Sequence, residues 1–214
     1  MIKAVLFDFD GTIIDTSKAV MDTWKKTYKE LTGSEGGEEI FLDTFGEPVH
    51  VSMKRLFPDR DPDECVEIYR SFQPRDYILT AELCPGMKEL ILKLKEEGYL
   101  LGIVTSRTRE TAFQGMDKHG ITECFDYVVS CDDTDVHKPS PVPAQIALEK
   151  LGVTADEAIM VGDSMFDILC AHNAGIKAAA VGWQIVISEE ELKGPDGPEY
   201  VIDRAMDLME ILND

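Results

Sequence analysis

Five short apolar runs, at residues 2–9, 100–105, 127–130, 158–161 and 178–181, alternate with stretches of helical periodicity. That alternation predicts βαβ units and a parallel sheet with helices on both faces, because a β-strand buried on both sides reads as a continuous apolar run. The helical stretches lie near residues 86–97, 108–118, 141–151 and 166–174, with one more near 203–212. Pro85 and Gly86 open the first, and Gly98, Gly120, Gly152 and Gly175 follow the ends of the first four, where helices commonly stop.

Residues 16–82 break this rhythm. They hold several helical patterns interrupted by "LTGSEGG" and "TFGEP", and no buried-strand run. A structureless loop of that length inside a compact domain is improbable, so a helical insertion is the expectation. The predicted architecture is α/β, a doubly wound, Rossmann-like core of residues 1–15 and 83–214, with an inserted α-helical cap domain at residues 16–82. Within the insert, Leu42, Phe45, Val49, Met53 and Leu56 recur at helical spacing, although Gly46 and Pro48 interrupt the series.

The chain carries 41 acidic and 21 basic residues, a formal net charge of -20. A surface of that sign repels nucleic acid and anionic membrane, so neither is an expected partner. An anionic substrate needs a local cluster of cations. Five cysteines, Cys65, Cys84, Cys124, Cys131 and Cys170, form no C-x-x-C pair and read as free thiols. The N-terminus enters a strand without a signal-peptide pattern, and no run is long enough to span a bilayer, so a cytoplasmic protein is expected. Either a monomer or a homodimer fits.

In open parallel sheets, ligands bind beyond the carboxyl ends of the strands. The first strand ends in "DFDGT", the second in "VTSR" and the fourth in "VGDSMFD", while "HKPSP" follows the third. If the first strand ran on, Asp8 and Asp10 would share a face about 6 to 7 Å apart. Two charges at that separation repel by about 2 to 3 kcal/mol at an effective dielectric near 20. Turn chemistry before Gly11 accounts for one aspartate, not two. Asp8, Asp10, Thr105, Ser106, Lys138, Asp163 and Asp167 together make a hard-cation and phosphate site, and Mg²⁺ suits such oxygen donors and relieves the crowding. Each piece has a plainer reading alone: "GDSMFD" fits a helix-capping box, Thr105 a strand residue and Lys138 a solvated loop lysine. Their shared placement at strand ends favours the site.

This set resembles the haloacid dehalogenase-like hydrolases over the whole chain: "DFDGT", Thr105, Lys138 in "KPSP" and "GDSMFD" match that family's four motifs. The resemblance implies a helical cap of the first type, Asp8 as nucleophile and Asp10 as general acid and base. It also implies Mg²⁺ held by the Asp8 carboxylate, the Asp10 carbonyl and Asp163, with Asp167 supporting Asp163 or a bound water. Gly11, Thr105, Ser106, Arg107 and Lys138, with Gly46 and His50 of the insert, are the candidate phosphate and substrate contacts. The expected activity is Mg²⁺-dependent hydrolysis of a small phosphorylated metabolite through an aspartyl-phosphate.

The second aspartate, Asp10, speaks against a dehalogenase. "DTSKAVMDTW" looks like the phosphoglycolate phosphatase and β-phosphoglucomutase branches, and "TFGEP" like the phosphoglycolate phosphatases and related bacterial pyrophosphatases. A mutase has a histidine and an arginine where this chain has Val20 and Val49, so phosphoglycolate phosphatase-like hydrolysis is preferred, with pyrophosphatase as the alternative. A phosphate-binding or receiver-like module is the non-enzyme alternative; a receiver is shorter, lacks the insert and places its lysine last. His119, His137 and His172 read as structural or exposed, and Trp24 and Trp183 as packing residues.

Overall fold

The computed structural model describes residues 1–73, 77–183 and 186–213. In chain order the strands are β1 (Ala4–Phe7), β2 (Ile14–Asp15), β3 (Glu82–Leu83), β4 (Leu100–Val104), β5 (Tyr127–Val129), β6 (Ala158–Gly162), β7 (Lys177–Val181) and β8 (Tyr200–Ile202). The helices are α1 (Ser17–Thr32), α2 (Glu38–Leu42), α3 (Val49–Leu56), α4 (Pro62–Phe72), α5 (Tyr77–Thr80), α6 (Met87–Glu96), α7 (Arg109–His119), α8 (Val142–Leu151), α9 (Met165–Asn173), α10 (Glu189–Lys193) and α11 (Asp207–Asn213).

Six strands form one parallel sheet in the order β5-β4-β1-β6-β7-β8. The chain starts in the middle of the sheet, so β1 is flanked on both sides, with Ala4 opposite Leu100 and Ala158. Side chains alternate as a pleat requires. Val5 and Phe7 join a core with residues of α6, α7 and α11, while Ala4 and Leu6 join a second core with residues of α8 and α9. The alanines of β7, good helix formers in isolation, lie fully buried in a strand. Here tertiary packing overrides intrinsic propensity.

The first expected strand proves shorter than residues 2–9. Its sheet bonding continues one residue past β1, where the Asp8 N–H donates to the Val161 carbonyl at 2.9 Å. The chain then turns, with Ile13 and Ile14 donating back to the Phe9 carbonyl at 3.0 Å each. Asp8 and Asp10 therefore do not share one face of a continuing strand. The edge strand β8, only three residues long, and the β2–β3 pair were too short to register as apolar runs.

Helices α1 to α4 enclose a third core around Trp24, Phe41, Met53, Phe57 and Tyr69. Trp24 packs on Tyr69 with ring centroids 4.9 Å apart. The mixed helical pattern at residues 42–56 is resolved by Gly46, at φ +80, and by Pro48, which separate α2 from α3. Helices α1 to α5 lie in the chain between the two strands of the small antiparallel pair, where Ile14 faces Leu83 and Asp15 faces Glu82. No described helix is long and apolar enough to cross a membrane.

Candidate active site

Asp8 sits where the central strand ends, 5 % exposed, and the chemistry gathers around it. Lys138 reaches in from the loop after β5. Its ammonium donates to Asp8 Oδ1 at 2.6 Å, to Asp167 Oδ1 at 2.5 Å and to the Val104 carbonyl at 3.2 Å. Asp167 opens α9, and its other oxygen accepts from the Ser164 N–H and hydroxyl at 3.1 and 2.7 Å. The capping box and the site are thus the same residues: one carboxylate both starts the helix and holds the lysine. Asp167 hydrogen-bonds to both Lys138 and Ser164.

Carboxylate oxygens of Asp8, Asp163 and Asp167 lie within 4.8 Å of one another. Burial, resisted by Lys138 and aided by Asp167 and Asp10, pushes the Asp8 carboxyl up to about 7. Burial, with Asp8 and Asp167 nearby, likewise raises Asp163 well above the usual carboxylate range. Three buried carboxylates facing one ammonium leave uncompensated negative charge, and their oxygens are the hard donors that a small divalent cation takes. Mg²⁺ fits this set. All three carboxylates offer oxygens for it, and Asp8 and Asp163 are the two that also line the cavity.

Asp10 stands outside that triad. Its Oδ2 accepts from Arg107 Nε at 2.9 Å, and its Oδ1 accepts from the Thr16 hydroxyl at 2.7 Å and from Arg107 Nη2. Burial alone would raise this carboxyl, but the Arg107 charge and these hydrogen bonds outweigh it and hold it below the ordinary range. The expected repulsion between the two aspartates is therefore answered by two side chains, Lys138 on Asp8 and Arg107 on Asp10. Arg107 itself lies 5.0 Å over the Tyr77 ring.

The turn between these groups depends on Gly11. Its φ of +77 favours glycine, and a Cβ there would fall 2.1 Å from Asp163 Oδ2. The Gly11 carbonyl accepts from Trp183 Nε1 at 3.1 Å and lies 3.7 Å from Cys84 Sγ. Trp183, read from sequence as packing, thus pins the turn carrying Asp10.

A cavity of about 570 Å³ opens over the site. Asp8, Asp10, Gly11, Thr105, Ser106, Arg107, Lys138 and Asp163 line its floor, and Val20, Gly46, Val49, His50 and Tyr69 line its helical side. Asp167 is absent from the lining, as its buried position requires. Thr105 accepts from the Arg107 N–H at 3.1 Å, and the Ser106 hydroxyl donates to the Gly46 carbonyl at 3.4 Å. A Cβ on Gly46 would meet Ser164 Oγ at 2.5 Å, so the insert is seated directly on the core. His50 is more than half exposed and lies 3.4 Å from Asp63. His137, read from sequence as structural or exposed, lines the cavity, whereas His119 contacts the Ala81 carbonyl and His172 contacts Glu199.

Sequence reasoning missed Thr16 and Tyr77; Trp183, expected to pack, does pack against the core and also donates to the Gly11 carbonyl. Thr16 and Tyr77 carry no signal by type or spacing. Trp183 follows β7 by two residues, at the same carboxyl edge as the other strand-end groups, and that position was the available clue.

The sequence profile of the haloacid dehalogenase-like hydrolases matches residues 5–181. A pyrophosphatase PpaX of Halalkalibacterium halodurans is 36% identical over 211 residues, spanning 99% of this chain and 97% of its own. Among solved structures, a haloacid dehalogenase-like family hydrolase from Streptococcus pneumoniae superposes with a TM-score of 0.85 at 26% identity, covering 99% of this chain and 98% of its own. A β-phosphoglucomutase from Clostridium difficile gives 0.82 at 21% identity over 100% and 96% of the two chains, a likeness of fold alone.

Proposed function

The chain belongs to the haloacid dehalogenase-like hydrolases, and within that family we propose that it hydrolyses a small phosphorylated metabolite through an aspartyl-phosphate on Asp8, with Mg²⁺ as cofactor. The carrying observation is the Asp8 carboxylate: buried at the end of the central strand, oriented through one oxygen by Lys138, and lining the cavity. A carboxylate so fixed is an oriented nucleophile. Helices α1 to α4 act as the cap, with the seam at the β2–β3 pair.

Asp8 attacks phosphorus and the bond to the leaving oxygen breaks; Asp10, ionised while Arg107 holds it, must first take up a proton from water before it supplies one to that oxygen. Water then attacks the phosphoryl group on Asp8 while Asp10 takes its proton, releasing phosphate and restoring the carboxylate. Lys138, the Thr105 hydroxyl and neighbouring backbone N–H groups hold the phosphoryl oxygens as charge redistributes. Mg²⁺, which Asp8 and Asp163 would hold, would supply positive charge to offset the repulsion of two anions. The side chains of Val20 and Val49 on the cavity wall provide no hydrogen-bond donor for a sugar, which supports hydrolysis over internal transfer.

Phosphoglycolate is one substrate this site suits. Pyrophosphate is the second reading, favoured by the name of the 36%-identical relative. The ionised resting state of Asp10 also favours it, since phosphate departs with less need of a proton than an alkoxide does. A screen of small phosphorylated compounds, including 2-phosphoglycolate and pyrophosphate, tests the reading together with Asp8→Asn. Phosphate release from at least one compound, lost in a folded Asp8→Asn protein, is expected. Turnover of that variant within tenfold of wild type would remove Asp8 as nucleophile.

A further inference from the structure

We propose that Arg107 is an anion subsite for the far half of the substrate, so that the enzyme selects phosphorylated compounds whose leaving group carries its own negative charge. This rests on the phosphatase reading above and narrows its substrate class. The chain's charge of -20 and the three acidic side chains on the cavity floor oppose any polyanion, so one that binds needs a concentrated positive charge. Lys138 is committed to Asp8, Asp167 and the Val104 carbonyl, at the position of the phosphoryl group under attack. Arg107 is the other buried cation lining the cavity among the described residues, with a side chain 7 % exposed.

Its position suits a second anion. A leaving oxygen in reach of Asp10 lies about 3 Å from that carboxylate, and the guanidinium lies a further hydrogen-bond length away. The two together place Arg107 within about 6 Å of the leaving oxygen, the range covered by a carboxylate or second phosphoryl group attached to it. A guanidinium binds either group through two parallel hydrogen bonds, as it binds Asp10 in the resting state. Substrate anion and Asp10 therefore compete for one fork. An anionic leaving group draws Arg107 away and frees Asp10 to face the leaving oxygen; a neutral alcohol leaves the two paired. The Tyr77 ring gives the guanidinium a face to rest on while its partners change.

Wild type, Arg107→Met and Arg107→Lys are to be compared on pyrophosphate and 2-phosphoglycolate against ethyl phosphate and glycerol 1-phosphate. Wild type is expected to favour an anionic member over the neutral pair by about 100-fold or more in kcat/KM, since a site built to pair a polar group rejects analogues lacking it. Arg107→Met should compress that ratio below tenfold, chiefly by raising KM for the anionic compounds, and Arg107→Lys should restore part of it. Equal rates on both classes in wild type, or equal losses on both in Arg107→Met, would overturn the subsite and leave Arg107 as a positioning residue for Asp10. A calorimetric comparison of phosphonoacetate with propylphosphonate needs no turnover. Tighter binding of phosphonoacetate, lost in Arg107→Met, supports the subsite even if no phosphate ester is cleaved; indifference between the two overturns it even if the phosphatase reading stands.

Discussion

Replacing Lys138 by Met removes three hydrogen bonds at once, to Asp8, Asp167 and the Val104 carbonyl. The lysine side chain is 2 % exposed and the side chains of its two acidic partners are 8 % and 1 % exposed, so water solvates these charges poorly. Removing one partner from a buried ionic group costs about 3–5 kcal/mol, because the remaining charges stay uncompensated. For a chain of this size each kcal/mol moves Tm by about 2–4 °C, giving a fall of about 10 °C. The loss should also depend on pH. Asp8 already has its folded pKa raised to about 7 from 3.8, so its ionised form costs stability as pH rises from 3.8 through 7. Without Lys138 that cost grows, and the deficit should be smallest near pH 5 and largest at pH 8. Urea and thermal unfolding in EDTA measure it. Adding Asp8→Asn to Lys138→Met should recover at least half of the loss at pH 8. A deficit under about 1 kcal/mol, a deficit independent of pH, or a double variant weaker than the single would refute the charge argument.

Chelation should abolish activity and added Mg²⁺ restore it, while Ca²⁺, with looser coordination, should inhibit; Mg²⁺ should also raise Tm, and Asp163→Asn should blunt that rise. Full activity after exhaustive chelation contradicts this. Gly11→Ala should cost about 1–2 kcal/mol from its left-handed backbone and, by displacing Asp163, weaken Mg²⁺ binding at least tenfold. An unchanged Mg²⁺ midpoint in a thermal titration would show that the turn and Asp163 do not constrain each other.

The central strands and the strand-end groups were legible in the sequence because a strand buried on both faces must be a run of apolar residues, and Asp8, Asp10, Lys138 and Asp163 follow such runs. Helices α6 to α9 were legible through their periodicity and terminal glycines: Gly120 and Gly152, for instance, are the left-handed caps of α7 and α8. Edge strand β8 was not, since three residues with one exposed valine make no apolar run. The partners of Asp10 were hidden for a different reason. Thr16 and Arg107 stand 6 and 97 residues away along the chain, and Arg107 comes beside Asp10 only because β4 pairs with β1 in the sheet. Mg²⁺ was expected on the Asp8 carboxylate, the Asp10 carbonyl and Asp163; the basic partners that also meet the two aspartates, Lys138 and Arg107, were not read as such.

The insert leaves and rejoins the core at one short ribbon, where Ile14 is paired with Leu83 and Asp15 with Glu82. Recombination between relatives at those two points would replace the helical wall of the cavity and preserve every pairing in the six-stranded sheet. Such a chimera would inherit Asp8, Lys138, Asp163 and Arg107 from one parent, and Val20, Val49 and Tyr69 from the other. Pocket shape and charge preference would then pass down separate lines of descent, leaving a lineage free to trade the bulk of what it accepts without surrendering the chemistry that cleaves it.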